Sequence, residues 1–149
     1  MINFRKITEE NFDSIIKMKR PEKENFVASN SVSLAQAWLY RDDGDVFPFA
    51  IYDDDNVVGF MLLEEDMEEE RLDLWRIMFP PENESKGYGT AAVRLMIQYA
   101  ADSGRYRSIG LLCGPENHKA RHIYDKLGFQ PTGEICYGDI EMRLDLKKE

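Results

Sequence analysis

The chain has 149 residues, of which 43% are hydrophobic and 11% aromatic, so it is long and apolar enough to bury a core and is not expected to be disordered. A formal net charge of −9 argues against a basic nucleic-acid-binding face, and no apolar run approaches the roughly 20 residues that span a bilayer. The N-terminal sequence MINFRKITEE also lacks the apolar stretch of a secretory signal. We therefore expect one cytoplasmic domain over 1–149, with neither nucleic-acid nor membrane partners.

The first half of the chain is predicted to contain two helices and four strands. A strand over 1–7 precedes a helix that Thr8 caps and that ends near residue 19, before Pro21. Ser33 is predicted to cap the second helix. Strands over 47–52 and 57–63 flank an Asp-rich turn, the charge run 64–71 favours a solvated loop, and a strand over 72–79 follows.

The second half is predicted to alternate helices with strands. A helix over 87–103, a strand over 108–113 and a helix over 117–127 precede a hairpin of strands over 132–137 and 140–146. The order β-α-α-β-β-β-α-β-α-β-β predicts a mixed α/β single domain. Cys113 and Cys136 form no CxxC pair and lie in apolar stretches, which favours buried thiols over a disulfide or a metal site.

The segment LDLWRIMFPPENESKGYG is the first candidate for a binding function. A predicted strand runs into a loop that holds Gly87 and Gly89, where a helix begins. Glycines at such a junction let backbone N–H groups and the helix N-terminus converge on a pyrophosphate, and Lys86 adds a cation. The loop is neither a Walker loop nor a GxGxxG fingerprint, and an ordinary Gly-rich turn remains the alternative.

A second motif follows the strand over 108–113. Asn117 is placed to cap a helix, and Tyr124 lies seven residues later, near the same helix face. A phenol close to the phosphate loop could donate a proton to a leaving group, whereas a Tyr that simply packs by its ring is the alternative.

Together these two segments resemble the GCN5-related N-acetyltransferase (GNAT) family. The family signature [Gln/Arg]-x-x-Gly-x-[Gly/Ala] corresponds to residues 84–89, and Glu84 stands where the family has Gln or Arg. The later signature Asn-x-x-Ala-x-x-x-Tyr-x-x-x-Gly-Phe is matched in full over 117–129. The segments FVASNSVSLAQAW, LWRIMF and TGEICYGDIEMRLDL are further similar to bacterial spermine/spermidine acetyltransferases.

The resemblance implies a fold, a cosubstrate and a set of binding residues. It implies an α/β (α+β) GNAT-like domain, with a mixed, mostly antiparallel sheet of about seven strands, about four helices, and fourth and fifth strands that splay apart around acetyl-CoA. Because a carboxylate would repel pyrophosphate by about 1 kcal/mol at 4 Å in solvent, we expect Glu84 to turn outward. The residues implied to bind the cofactor are Ile77, Met78, Phe79, Glu84, Ser85, Lys86, Gly87, Tyr88, Gly89, Thr90, Asn117, Ala120 and Tyr124.

The implied reaction is the direct attack of a primary amine on the thioester. Tyr124 is expected to protonate the departing thiolate. A base is also needed because an alkyl amine is almost fully protonated at pH 7. Trp75 stands where related enzymes often place an acid, and Asp73 is the candidate that replaces it, with an exposed strand-end charge as the alternative.

A polyamine acceptor requires carboxylates and aromatic rings along a groove, and the acidity of the chain would attract it. The candidates, each of which has an ordinary surface or packing role as its alternative, are Glu24, Phe26, Tyr40, Trp75, Glu134 and Glu141. Other open readings are acetylation of another small amine, an amino acid or a protein N-terminus, and a non-catalytic acyl-CoA sensor. His118 and His122 share a helix face but lack a third ligand, so no metal is expected. Family habit suggests a homodimer.

Overall fold

The computed structural model of the chain describes residues 1–21 and 28–146. Its strands form one sheet in the order β1-β2-β3-β4-β5-β7-β6. In chain order the elements are β1 (Ile2–Lys6), α1 (Glu9–Lys17), α2 (Asn30–Leu39), β2 (Val46–Asp53), β3 (Asn56–Asp66), β4 (Arg71–Met78), a 3-10 turn (Pro81–Asn83), α3 (Tyr88–Ser103), β5 (Ser108–Cys113), α4 (His118–Lys126), β6 (Gln130–Cys136) and β7 (Asp139–Asp145). The predicted element order and mixed sheet are confirmed.

The pairing of β4 with β5 is the only parallel pairing among the described strands, and it is short. It joins Arg71–Leu74 to Ser108–Leu111 and then stops, while β4 continues to Met78 beside β3. A β-bulge lies at this point, because Leu63 of β3 faces Leu74 whereas the adjacent Leu62 faces Arg76. Trp75 is therefore an extra residue in β4, and a bulge bends its strand. The predicted splay between the fourth and fifth strands is confirmed.

Helices cover the sheet on both faces. On one face, α3 inserts Ala92, Val93 and Met96 into a core that Tyr124 and Phe129 also join. On the other face, Ile15 of α1 packs with Phe60 and Leu62 of β3, and Leu34 and Ala37 of α2 lie against them. Because β3 is buried on both faces, it fixes the position of its neighbour β4, whose far end borders the site described below.

The second helix begins earlier than predicted. Ser29 is its N-cap and accepts a hydrogen bond from the backbone N–H of Val32, so the prediction that Ser33 caps this helix is wrong. Ser33 is fully buried inside α2, where its hydroxyl accepts from Nη1 of Arg76 at 3.1 Å. Ser33 therefore serves as a hydrogen-bond partner of Arg76 on β4, and the sequence around Ser33 does not reveal this long-range contact.

The charge run after β3 is only partly a loop. β3 continues to Asp66, and β4 already begins at Arg71. The side chain of Glu65 is only 8% exposed, because it accepts from the Tyr106 hydroxyl and pairs with Arg105. These contacts explain why charged residues extend a strand here.

Two further features complete the fold. Cys113 and Cys136 are free thiols; Cys113 is buried as predicted, whereas Cys136 is only half-buried, so the prediction of a buried thiol is wrong for Cys136. Across residues 1–21 and 28–146, no helix is both long and apolar enough to traverse a bilayer.

Candidate active site

A cleft of about 920 Å³ lies where β4 and β5 separate. The end of β4 forms one wall, while the end of β5 and helix α4 form the other. The loop before α3 forms part of the lining. The predicted cofactor-binding residues that line this cleft are Ile77, Met78, Phe79, Glu84, Ser85, Gly87, Tyr88, Gly89, Thr90, Asn117, Ala120 and Tyr124. Lys86, the remaining member of the predicted set, does not line it.

The loop between β4 and α3 has the backbone of an anion cradle. Ser85 and Gly87 both have left-handed φ angles, of 60° and 79°, and Gly87 is the N-cap of α3. Left-handed residues next to a helix N-terminus turn successive N–H groups toward one point, and the helix dipole adds partial positive charge there. A Cβ at Gly89 would lie 3.3 Å from Cδ1 of Ile123, so this glycine lets α3 approach α4 closely. The residues present thus fit a pyrophosphate group.

Two aromatic rings fix the start of α3 against the sheet. The ring of Tyr88 stacks on Phe79 with a centroid distance of 6.3 Å. Its hydroxyl donates to Oδ2 of Asp53 at the end of β2, at 3.0 Å. This anchor holds the N-terminal turn of α3 in position beside the end of β4, so the cradle has a defined place in the cleft.

Tyr124 lies on α4, in the wall of the cleft opposite β4, and is 7% exposed. Its ring meets Phe129 edge-on with centroids 5.8 Å apart. Burial, and to a smaller extent the nearby Cys113, raises the pKa of the Tyr124 phenol well above its usual range. The phenol therefore keeps its proton at neutral and mildly alkaline pH, as a proton donor must.

Asn117 is the N-cap of α4, as predicted. Its Oδ1 accepts a hydrogen bond from the backbone N–H of Ala120 at 3.3 Å. Asn117 and Tyr124 both line the cleft. The capping contact fixes the first turn of α4 and so the direction in which Tyr124 projects.

Glu84 is not turned outward as predicted. It lines the cleft with its side chain 31% exposed and forms ion pairs with Arg20 and with Lys119, whose Nζ lies 3.8 Å from Oε2. Arg20 also donates from Nη1 to the carbonyl oxygen of Phe79 at 3.1 Å. The two cations stabilise the carboxylate within the loop, which removes the reason for it to face solvent.

The candidate base Asp73 does not line the cleft. Its carboxylate accepts from Nε and Nη2 of Arg71 at 2.6 and 3.1 Å, on the part of β4 that still pairs with β5. The structure therefore gives Asp73 a structural partner and no contact with the cleft, and its role as a base stays an unsupported prediction.

The predicted acceptor residues are only partly brought together. Trp75 lines the cleft, and the ring of Tyr40 lies 6.4 Å from it, outside the lining. Glu134 is exposed on β6, and Glu141 accepts from Arg143 at 2.9 Å, so neither reaches the cleft. Glu24 and Phe26 lie outside the described residues.

Several residues that line the cleft were not predicted. Lys119 stands at a variable position inside the second motif, five residues before Tyr124 and so well round the helix from it, and only its position in the first turn of α4 could have indicated it. Glu116 and His118 flank Asn117 in sequence, whereas Arg20, Tyr137 and Asp139 come from separate elements, so the two motifs give no sign of them. The unpredicted polar and aromatic members are Arg20, Arg76, Asn83, Cys113, Glu116, His118, Lys119, Tyr137 and Asp139.

The fold and the cleft define a class of protein in which a splayed sheet opens a cleft between a loop with the backbone of an anion cradle and a buried tyrosine. Residues 12–129 match the family described as "Acetyltransferase (GNAT) family". The chain belongs to this family, whose members use acetyl-CoA as the acetyl donor. The predicted family and cosubstrate are thereby confirmed.

Named relatives of this family extend the comparison. The spermidine N(1)-acetyltransferase of Escherichia coli K12 is 36% identical over 63 residues, which cover 42% of this chain and only 34% of that enzyme. The spermine/spermidine N(1)-acetyltransferase of Bacillus subtilis 168 is 25% identical over 143 residues, covering 91% of this chain and 92% of the relative. A Vibrio cholerae spermidine N-acetyltransferase solved with CoA and spermine superimposes with a TM-score of 0.78 at 19% identity, over 97% of this chain and 95% of that one. The last similarity shows the fold.

Proposed function

We propose that this chain transfers an acetyl group from acetyl-CoA to a primary amine, and that the preferred amine is a polyamine such as spermidine or spermine. The observation that carries the proposal is that the anion cradle at Ser85–Gly87 and the protonated phenol of Tyr124 line one cleft between separating strands. Acetyl-CoA supplies a thioester carbonyl that an amine can attack.

The residues that would hold acetyl-CoA follow from the backbone. β4 continues past Leu74 without pairing to β5, so the peptide groups near Ile77 and Met78 face the cleft and can bind an extended amide chain as an added strand would. The left-handed loop would bind the pyrophosphate through backbone N–H groups.

The chemistry requires one proton to be delivered and one to be removed. Tyr124 would give its proton to the departing sulfur, and its raised pKa keeps that proton available up to alkaline pH. The amine must lose a proton before it attacks, and we assign none of the described carboxylates as the base that removes it. Water in the open cleft is therefore the proposed route for this second proton.

A polyamine acceptor is supported by the names of the relatives and by the net charge of −9. The rings of Trp75 and Tyr40 also offer apolar surface for methylene groups. The polyamine assignment rests on these features and not on the charge of the cleft, where three acids (Glu84, Glu116 and Asp139) meet three cations (Arg20, Arg76 and Lys119) within the described lining.

Arg76 favours a second candidate acceptor, an amino acid. Its guanidinium lies 4.7 Å from the Trp75 ring centroid and hydrogen-bonds to Ser33 and Gln36. Burial lowers its pKa somewhat, yet an arginine remains charged at neutral pH. A cation beside Trp75, where the amine acceptor is proposed to bind, would repel a polycation and attract the carboxylate of an amino acid.

An amine panel separates these possibilities. Purified protein is given acetyl-CoA with spermine, spermidine, putrescine, free amino acids or a peptide N-terminus, and thiol release is measured. We expect the highest kcat/KM with spermine or spermidine. The highest kcat/KM with an amino acid would establish the second candidate. Micromolar CoA binding without turnover on any amine would instead indicate a non-catalytic sensor.

The substitution Asp73→Asn tests the general base. Because Asp73 bonds to Arg71 and does not line the cleft, we expect kcat to stay within twofold of wild type, with a loss of stability from the weakened ion pair. Steady-state kinetics across pH 6–9 and thermal unfolding are the measurements. A fall in kcat of tenfold or more, with the loss confined to low pH, would restore Asp73 as the base.

Cytoplasmic location, the single-domain assignment over 1–149 and a homodimeric state stay predictions.

A further inference from the structure

Glu84 is an acidic residue inside a loop built to bind an anion. It stands at the first position of the family signature, where Gln or Arg is usual, and its carboxylate lines the cleft. A carboxylate that faced a pyrophosphate at close range would weaken its binding. The two cations that pair with Glu84 suggest how the chain avoids this penalty.

The first cation comes from a distant part of the chain. Arg20 follows α1, yet its guanidinium crosses to the end of β4, where it pairs with Glu84 and donates to the Phe79 carbonyl. Its side chain is 13% exposed and lines the cleft. A guanidinium has a fork of donors that matches phosphate oxygens as well as carboxylate oxygens.

The second cation comes from α4. Nζ of Lys119 lies 3.8 Å from Oε2 of Glu84, and Lys119 also lines the cleft. Its side chain is 77% exposed, so it can move without disturbing the core. The single carboxylate of Glu84 therefore draws a cation from each side of the loop into the cleft.

We propose that Arg20 and Lys119 bind a phosphate group of CoA, and that Glu84 holds the two cations at the cradle until a phosphate takes its place between them. This inference rests on the proposed use of acetyl-CoA and assigns phosphate-binding roles to Arg20, which lies outside the two family motifs, and to Lys119, which stands at a variable position of the second. Glu84 acts here as a positioning residue, and its carboxylate competes with the phosphate for the same donors.

The competition predicts opposite effects for two substitutions. Glu84→Gln removes the competing charge, so CoA should bind about three- to tenfold tighter. Arg20→Met removes a phosphate donor and leaves Glu84 less well compensated, so CoA should bind at least tenfold weaker. In the double variant, Glu84→Gln should recover part of the affinity that Arg20→Met loses.

The experiment is isothermal titration of each variant with CoA, dephospho-CoA and pantetheine, because pantetheine lacks phosphates. The predicted changes should appear with CoA and be absent, within twofold, with pantetheine. Dephospho-CoA shows whether the 3′-phosphate or the pyrophosphate is the group concerned. Glu82→Gln is the matched control, since Glu82 is exposed in the same connection and does not line the cleft; it should leave all three affinities unchanged.

Arg20→Lys guards against an Arg20→Met protein that does not fold, since it keeps the charge and loses the fork. It should lose two- to fivefold in CoA affinity and none in pantetheine affinity. Unchanged CoA binding in a folded Arg20→Met or Arg20→Lys protein, or weaker CoA binding in Glu84→Gln, would overturn the proposal, because the ion pairs would then only tie the α1 end to the loop. Titration needs no acceptor amine, so loss of turnover on every amine would refute the acetyl transfer and leave this result intact.

Discussion

Replacing Tyr124 by phenylalanine should lower kcat roughly 10–100-fold or more, while the dissociation constant of CoA changes by less than twofold. The phenol lines the cleft, and burial raises its pKa, so wild-type Tyr124 enters the reaction with its proton in place. Phenylalanine keeps the ring that packs on Phe129 and removes only the hydroxyl. The loss should therefore fall on the chemical step and not on folding or cofactor binding.

Steady-state kinetics with a saturating amine, together with CoA titration, measure this effect. Tyr106→Phe is a matched control, because it also removes a mostly buried phenol hydroxyl, one that bonds to Glu65 away from the cleft. It should cost stability and leave kcat unchanged. An unaltered kcat in Tyr124→Phe would remove this residue from the mechanism.

The pH dependence of the wild-type enzyme provides a second check on Tyr124. A free phenol loses its proton near pH 10, and a raised pKa moves that loss to higher pH. As pH rises, kcat/KM should increase because more of the amine is uncharged, and no decline should appear below about pH 10. A decline near pH 8 that Tyr124→Phe abolishes would show that the phenol titrates far lower than its burial implies.

The cofactor side of the site could be predicted because its geometry is local. Gly87 begins a helix after a strand, and Asn117 caps the next one, so each motif fixes its own backbone within a few residues. The spacing from Asn117 to Tyr124 then places the phenol two helical turns along. Such features depend on neighbours in sequence, whereas the full set of cofactor-binding residues, all of which except Lys86 line one cleft, follows only from the resemblance to the family.

The acceptor side depends on contacts between distant segments. The bulge at Trp75 exists only in the pairing of β4 with β3, and the periodicity of the β4 sequence gives no sign of it. The bulge changes which side chains of β4 meet α2, so Arg76 reaches Ser33 there. Asp73, the substitute for the acid at the Trp75 position, lies in the part of β4 that still pairs with β5 and bonds to Arg71, so its carboxylate does not reach the cleft.

Arg20 and Glu84 illustrate the same limit for charged residues. The sequence alone shows only an acid in a motif that is expected to bind an anion. The two cations that pair with Glu84 lie 64 residues before it and 35 residues after it, so the motif gives no sign of them. Only the folded chain shows that the carboxylate is compensated. The ion pairs with Arg20 and Lys119 account for an acid at this position without requiring the loss of cofactor binding.

Replacing Gly87 by alanine should weaken CoA binding about five- to thirtyfold. Gly87 has a φ of 79°, a left-handed conformation that costs an alanine about 1–2 kcal/mol. No atom lies within 4 Å of the added Cβ, so the effect is one of backbone conformation and not of crowding. The loop can relieve the strain by turning its N–H groups away from the cradle, and CoA must then restore the original conformation at the expense of its affinity.

The other end of α3 offers a matched control for this substitution. Gly104 caps that end with a φ of 67° and likewise has open space around its missing Cβ. Gly104→Ala should lower the unfolding temperature at least as much as Gly87→Ala does, because the loop at Gly87 can relax, yet leave CoA affinity unchanged, because Gly104 does not line the cleft. Equal loss of CoA affinity in both variants would mean that general weakening of α3 explains the effect. Loss in Gly87→Ala alone would tie the left-handed backbone at the start of α3 to the binding of the cofactor phosphates.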